Sequence, residues 1–217
     1  MSPTTNRADT DAQAWTTDIT LGITAAIHEA GHAVAHVVVG RAFDRVTVRK
    51  DATGWTGSVD PEPGARIPDH QFMTEAVILL AGGSAQVELL ERITDANRDD
   101  IVGFARSSSS HDLNEVAALG VDELRAEIHA VALVRHWWSS IHRLAKAITE
   151  APGTTLGYDE VLDVLGPRLG AVGTRAHRRQ LDRAARDYAA GTRLTYDPTA
   201  QEFVDGADTF AIARLAA

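Results

Sequence analysis

Residues 23–40 read ITAAIHEAGHAVAHVVVG, and they decide how the rest of the chain is read. Ile23, Ile27, Val34, Val37 and Val38 fall three, four or seven apart, the period of a largely buried helix. The pattern predicts a helix starting at Asp18 and stopping at Gly40, since glycine commonly ends helices. Inside it stands His28-Glu29-Ala30-Gly31-His32. Residues four apart on a helix share one face, one turn apart. Two imidazoles so placed can hold one zinc ion, and the Glu beside the first can reach a water on it. Chance puts such an HExxH in roughly one chain in fifty of this composition, so its setting matters. Two His and a Glu inside an apolar helix are costly unless they have a task.

Zinc lowers the pKa of its bound water, and Glu29 would take the proton as that water attacks a carbonyl. A zinc hydrolase needs a third protein ligand and an open fourth position. The chain has no Cys, which excludes thiolate metal sites and disulfides and leaves His, Asp or Glu. Glu75, Glu88, Glu91, His111, Asp112 and Glu115 all lie on helix-compatible segments downstream. Period and composition do not choose among them.

Outward from the motif, Phe43 to Arg49 alternates, with Val46 and Val48 on one face and Arg45, Thr47 and Arg49 on the other. This predicts a strand, paired with a second over Trp55 to Val59. Pro61, Pro63, Gly64 and Pro68 mark a loop. A helix is expected from Pro68–Asp69 to Arg92, with Gly82–Gly83 as a kink or a close helix contact. Residues 94–110 are polar and read as a loop whose serines lead to an N-cap before His111 or Asp112. One long helix is expected from Val121 to Glu150, buried through Leu124, Ile128, Val131, Val134, Trp138, Ile141 and Ile148. His129, His136 and His142 on it read as surface or packing residues, and Trp137 and Trp138 as core or interface anchors. Tyr158 to Leu165 is a short helix. The sum is α+β, mainly helical with a small sheet.

The chain has 217 residues, 44% hydrophobic and 24% charged, as in ordinary globular domains. Its net charge of −9 argues against binding a nucleic-acid backbone. The basic run Arg175, His177, Arg178, Arg179, Arg183 and Arg186 reads as a solvated helix face, because Asp182 and Asp187 interrupt it. No unbroken apolar run is long enough for a membrane span, and no signal pattern opens the chain. A cytoplasmic protein is expected. Residues 1–17 read as a flexible tail, 18–166 as the zinc domain, and 167–217 as an extension of open role.

Several segments resemble the peptidase domain of FtsH-type zinc metalloproteases, in the same order. HEAGHAVAHVVVG followed by DRVTVRKDATGWTGSVD looks like its start. LLAGGSAQVELL resembles that family's Gly-Gly-Arg-Ala-Ala-Glu-Glu helix, with Ser84 in place of Arg, Val87 in place of the first Glu, and Glu88 matching the second. SSSSHDLNEVAAL resembles its Ala-Ser-Asn-Asp-Leu segment, with His111 in place of Asn. RLAKAITEAPGTTLGYDEVLDVLG is similar to the end of the domain. The resemblance implies a zincin-like fold and places the third zinc ligand on Asp112, beside His28 and His32. Glu88 either orients a ligand His through its ring N–H or is a helix-surface Glu.

No G-x-x-x-x-G-K-[ST] phosphate loop occurs, so the ATPase module of FtsH-type proteases is not expected here. The reading is an ATP-independent zinc metalloendopeptidase acting on peptides or unfolded chains, which a separate ATPase or adaptor could deliver. The strand over Trp55 to Val59, with Gly54 and Gly57, could hold substrate as an added strand. The alternatives are a non-catalytic zinc-containing module that binds a peptide or partner, and a metal hydrolase acting on a non-peptide amide. Oligomeric state and cleavage preference stay open.

Overall fold

The computed structural model describes the backbone of residues 7–52, 54–150, 155–166, 194–197 and 202–205, and side chains in 21–52, 54–150 and 155–166. In chain order the elements are α1 (Arg7–Val38), β1 (Phe43–Asp51), β2 (Gly54–Pro61) and α2 (Phe72–Ile93). Then come α3 (Arg98–Ser108), α4 (Ser110–Leu119), α5 (Glu123–His136), α6 (Trp138–Glu150), β3 (Thr155–Gly157), α7 (Tyr158–Leu165), β4 (Leu194–Asp197) and β5 (Glu202–Asp205). The described chain is mainly helical with a small antiparallel sheet, as the sequence predicts.

α1 is the axis of the fold. Ala26, Ile27, Ala30, Ala33, Val34, Ala35, Val37 and Val38 are all essentially without solvent. They cover more than half of the circumference of the helix, and the remaining side carries the buried polar residues His28, Glu29, His32 and His36. α2, α6 and the β1–β2 hairpin provide that cover. Each fully buried Ile or Val contributes about 1.5–3 kcal/mol relative to exposure. At Gly31 the two main helices nearly touch. A Cβ there would lie 2.7 Å from the Ala81 carbonyl oxygen, so only glycine permits this crossing. α1 ends at Val38, and two residues on the chain turns at Gly40, whose φ of 70° suits a residue without Cβ.

β1 is the middle strand of the sheet, between β2 and β3. It pairs antiparallel with β2 (Val46 opposite Val59, Val48 opposite Gly57) and with β3 (Val46 opposite Leu156). Val46 and Val48 face the core while Arg45 and Arg49 are exposed, as the alternation predicts. β2 has a partner on one side only, so its other edge is free among the described residues.

Five expectations need correction. α1 begins at Arg7, not Asp18, so residues 7–17 have helical backbone. Residues 98–108 form helix α3, not a loop. Asn97 Oδ1 accepts the Asp100 N–H at 3.0 Å as N-cap, Asp99 and Asp100 suit the first turn, and only Ile101 and Ala105 need burial. The long helix is two, α5 and α6, broken at Trp137. The break lets α5 lie on α2 while α6 lies on α1. The buried face of α5 is also different: Ala126, His129, Ala130, Leu133 and Val134 are inside, while Leu124 is 68% exposed and Ile128 is exposed too. Close packing on α2 selects the small alanines over the larger residues. Ile23, expected inside α1, is likewise exposed.

By length and composition alone Asp69–Ile93 could cross a membrane, and half of its most apolar window is buried within the fold. Contacts with α1, α4 and α5 cover the buried part. The helix expected over 174–189 lies outside the described residues.

Candidate metal centre

α1 brings His28 and His32 to one face, and their Nε2 atoms lie 2.9 Å apart. Asp112 sits in the first turn of α4, where the helix dipole favours a carboxylate. Its Oδ2 lies 3.2 Å from His28 Nε2 and 3.6 Å from His32 Nε2. These three donor atoms lie within 4.8 Å of one another and form a group that could hold a metal ion. Donors about 2.0–2.1 Å from a tetrahedral ion sit roughly 3.3 Å from each other. The observed spacings bracket that value, so the residues fit a small divalent ion.

The surroundings support the same use. His32 Nδ1 lies 2.8 Å from the Ile78 carbonyl, which can only accept, so Nδ1 is the donor. The neutral ring then keeps the Nε2 lone pair for a ligand. A Cβ on Gly82 would come within 2.8 Å of His28 Nε2 and closer still to His32 Nε2. The glycine therefore leaves open the space in front of both rings. Gly82–Gly83 is thus a close helix contact rather than a kink.

Burial works against a charge on His32, yet the hydrogen bond to Asp112, helped by the Glu29 charge, raises its pKa above the usual value. Burial also acts against the Asp112 carboxylate, but hydrogen bonds from His28 and His32 hold it well below the usual carboxylate range. The field that favours a proton among these groups would equally favour a divalent cation. Burial pushes the Glu29 carboxyl up, against the pull of His32 and His28. A raised carboxyl suits a group that must gain and lose a proton.

Glu29 faces β2. A Cβ on Gly57 would stand 2.6 Å from Glu29 Oε1, so the strand approaches the carboxylate only because residue 57 is glycine. Trp55, Thr56, Gly57, Ser58 and Val59 line one wall of a cleft of about 810 Å³ that also holds His28, Glu29, His32 and Asp112. The free edge of β2 and the histidine group thus share one opening.

The other candidate ligands are placed elsewhere. Glu75 pairs with Arg41 and Glu91 with Arg98. Glu88 pairs with Arg92, Nε at 2.9 Å, and with Arg135 at 3.2 Å, so it orients no ligand His. His111 is 86% exposed and meets Glu115 at 3.3 Å. Only Asp112 of the six converges on the two histidines. His36 and Gln86 were passed over by the sequence reading, though both are buried and line the cleft. His36 could have been found, because it continues the His28–His32 row by one more turn. Burial, then the Arg41 and His32 charges, lower its pKa to about 3. Gln86 carries no sequence signal; its Oε1 lies 2.7 Å from Ser108 Oγ.

No family model matches the chain, and no curated protein matches it by sequence. The FtsH-type resemblance accordingly rests on its quoted motifs.

Proposed function

We propose that this chain is an ATP-independent zinc metallopeptidase resembling the peptidase domain of FtsH-type proteases, with a zincin-like active site. The observation that carries the reading is the convergence of His28, His32 and Asp112 beside Glu29, in a cleft walled by an unpaired strand edge. His28 Nε2, His32 Nε2 and a carboxylate oxygen of Asp112 would hold the ion. Zinc there would supply Lewis-acid polarisation of a carbonyl and acidify a water.

The chain's own groups do the rest. The β2 edge binds an extended peptide through backbone hydrogen bonds and lays it along the cleft. Glu29 takes the proton of the attacking water on a carboxylate oxygen and later passes it to the leaving amine. Ile78 holds the His32 tautomer through its carbonyl. Substrates are peptides, or flexible and unfolded segments, since a strand can be added only if it is free of other structure. A separate ATPase or adaptor would extend the range to folded proteins.

The test is Glu29→Gln on zinc-loaded protein. Metal content is expected to stay near one per chain while hydrolysis of a peptide library falls by about 10²–10⁴-fold. Unchanged hydrolysis would sink the mechanism. A wild-type protein that binds zinc and peptides but cleaves none would leave the non-catalytic binding module in its place.

A further inference from the structure

Gln86 is a buried polar side chain that the proposed chemistry does not use. It is 4% exposed and lines the cleft together with His28, Glu29 and Asp112. Its Oε1 accepts the Ser108 hydroxyl at 2.7 Å. Its Nε2 has no hydrogen-bond partner among the described residues. Nor is that nitrogen among the unpartnered side-chain atoms sealed from solvent, so it opens on the cleft. Buried polar groups normally have partners, so these two N–H donors point to an acceptor that arrives with a ligand. Gln86 stands where the resembling segment carries Ala, so the amide is this chain's own.

Its place in the cleft selects the acceptor. Gly82 stands before both histidine rings. Gln86 follows it by four residues, on the same face of α2 and about 6 Å further along. Ile78 meets His32 and Gly82 reaches His28, so α2 runs against α1. β2 runs with α1, since Trp55 lies against Gly22 and Gly57 against Glu29. Gln86 therefore stands toward the Trp55 end of the cleft. A peptide added to β2 in the antiparallel sense of the rest of the sheet runs toward that end. Its residues after the cut bond then lie on the Gln86 side. In an extended chain alternate residues turn their backbone groups to the same edge, about 6.7 Å apart. Where one carbonyl faces the histidines and not β2, the carbonyl two residues on faces the same way, one turn of α2 further along.

We infer that Gln86 is a positioning residue whose Nε2 donates to the peptide carbonyl of the second residue after the cut bond, on the edge of the bound strand that β2 leaves unpaired. The inference rests on the peptidase reading. A backbone carbonyl led into a cleft loses water and needs a donor. An amide supplies one without a charge, so the contact reads the peptide backbone and not the side chain. Ser108 fixes the amide through its oxygen, which leaves the nitrogen turned to the substrate.

The experiment compares zinc-loaded wild type with Gln86→Met on amidated peptides that share one cleavage site and carry one, two or three residues after it. In wild type the step from one residue to two is expected to raise kcat/KM by about two- to tenfold, as one neutral hydrogen bond allows. Gln86→Met, similar in length but without a donor, should lose that gain and keep the wild-type rate on the shortest peptide, with thermal melt and zinc uptake unchanged. A variant that loses the same factor at every length is a packing defect and overturns the inference. An equal gain in both proteins overturns it too, as does a gain confined to residues before the bond. A second readout needs no turnover. The side-chain amide NMR signal of Gln86 should move saturably when metal-free protein is titrated with an acetylated and amidated Ala-Ser hexapeptide. Cleavage without the length effect removes the role of Gln86 and keeps the peptidase. A moving signal with no cleavage of any peptide keeps a peptide contact at Gln86 and removes the peptidase. A still signal with no cleavage overturns both.

Discussion

Two parts of this molecule bury histidine, and they do opposite things with it. His28 and His32 on α1 and His129 on α5 are all below 9% exposed. At α1 a carboxylate from another helix meets both rings, and Glu29 adds a second acid close by. The proton affinity of His32 rises in spite of burial. At α5 burial has no such counterweight, and with the Arg125 charge nearby the His129 pKa falls to about 4. Its Nδ1 has no hydrogen-bond partner. Dryness alone therefore says little about a buried histidine. What decides is whether the tertiary structure brings an acid to it.

The largest expected break in that comparison is functional. Glu29→Gln should lower peptide hydrolysis by about 10²–10⁴-fold, while His129→Gln should leave turnover per folded molecule unchanged. A parallel loss in both variants would mean that the α1 site is not special. Next is Asp112→Ala, read as zinc affinity by competition with a chelator. It should weaken binding by more than the about 10–100-fold typical of losing a group that merely orients a ligand, whereas Glu88→Ala should leave affinity as it was. Equal losses would return Glu88 to the candidates.

The third prediction concerns acid. Above pH 6.5 His129 is neutral in both the folded and the unfolded chain. Between its ordinary value and about 4, the unfolded chain takes up a proton that the fold excludes. Stability therefore falls as pH falls through that window, by about 3 kcal/mol at roughly 1.4 kcal/mol per unit. His129→Leu should flatten this limb in urea melts between pH 7 and pH 4, and an identical limb in the variant would reject the assignment. His36, with its pKa depressed to about 3, would contribute alongside and cancels in the difference.

Smaller effects sharpen the packing side. Gly82→Ala pushes a methyl into the space before both rings. It should cost about 1–3 kcal/mol by overpacking and reduce zinc uptake measured at equal folded fraction; normal uptake would mean that the rings move aside freely. Leu124→Gln, on the exposed side of α5, should change stability by no more than about 0.5 kcal/mol. A larger loss would restore Leu124 to the core that the sequence pattern gave it.

How much of this was legible beforehand follows a physical rule. α1, the β1–β2 pair, α2 and α7 could be read because their signals are local: an apolar period, a strict alternation, a terminal glycine. α3 could not, since its polar residues satisfy a helix surface and only Ile101 and Ala105 need cover. The α5–α6 break was hidden because the apolar period runs on through Trp137, while the two halves pack on different partners. The wrong face of α5 was chosen because hydrophobicity ranks leucine above alanine, whereas a close helix crossing ranks size first.

By itself the sequence determined the pair His28 and His32 and the place of Glu29, because an α-helix fixes which residues share a face. It also determined the strand whose glycine admits Glu29 to the cleft. Period and composition left open which acid meets those histidines; the motif resemblance pointed to Asp112, and the tertiary structure is what brings it there. Six candidates lay downstream, and five of them are held by arginines or by solvent. The approach of α4 to α1 across Gly82, a distance no local pattern encodes, brought Asp112 alone to the two rings.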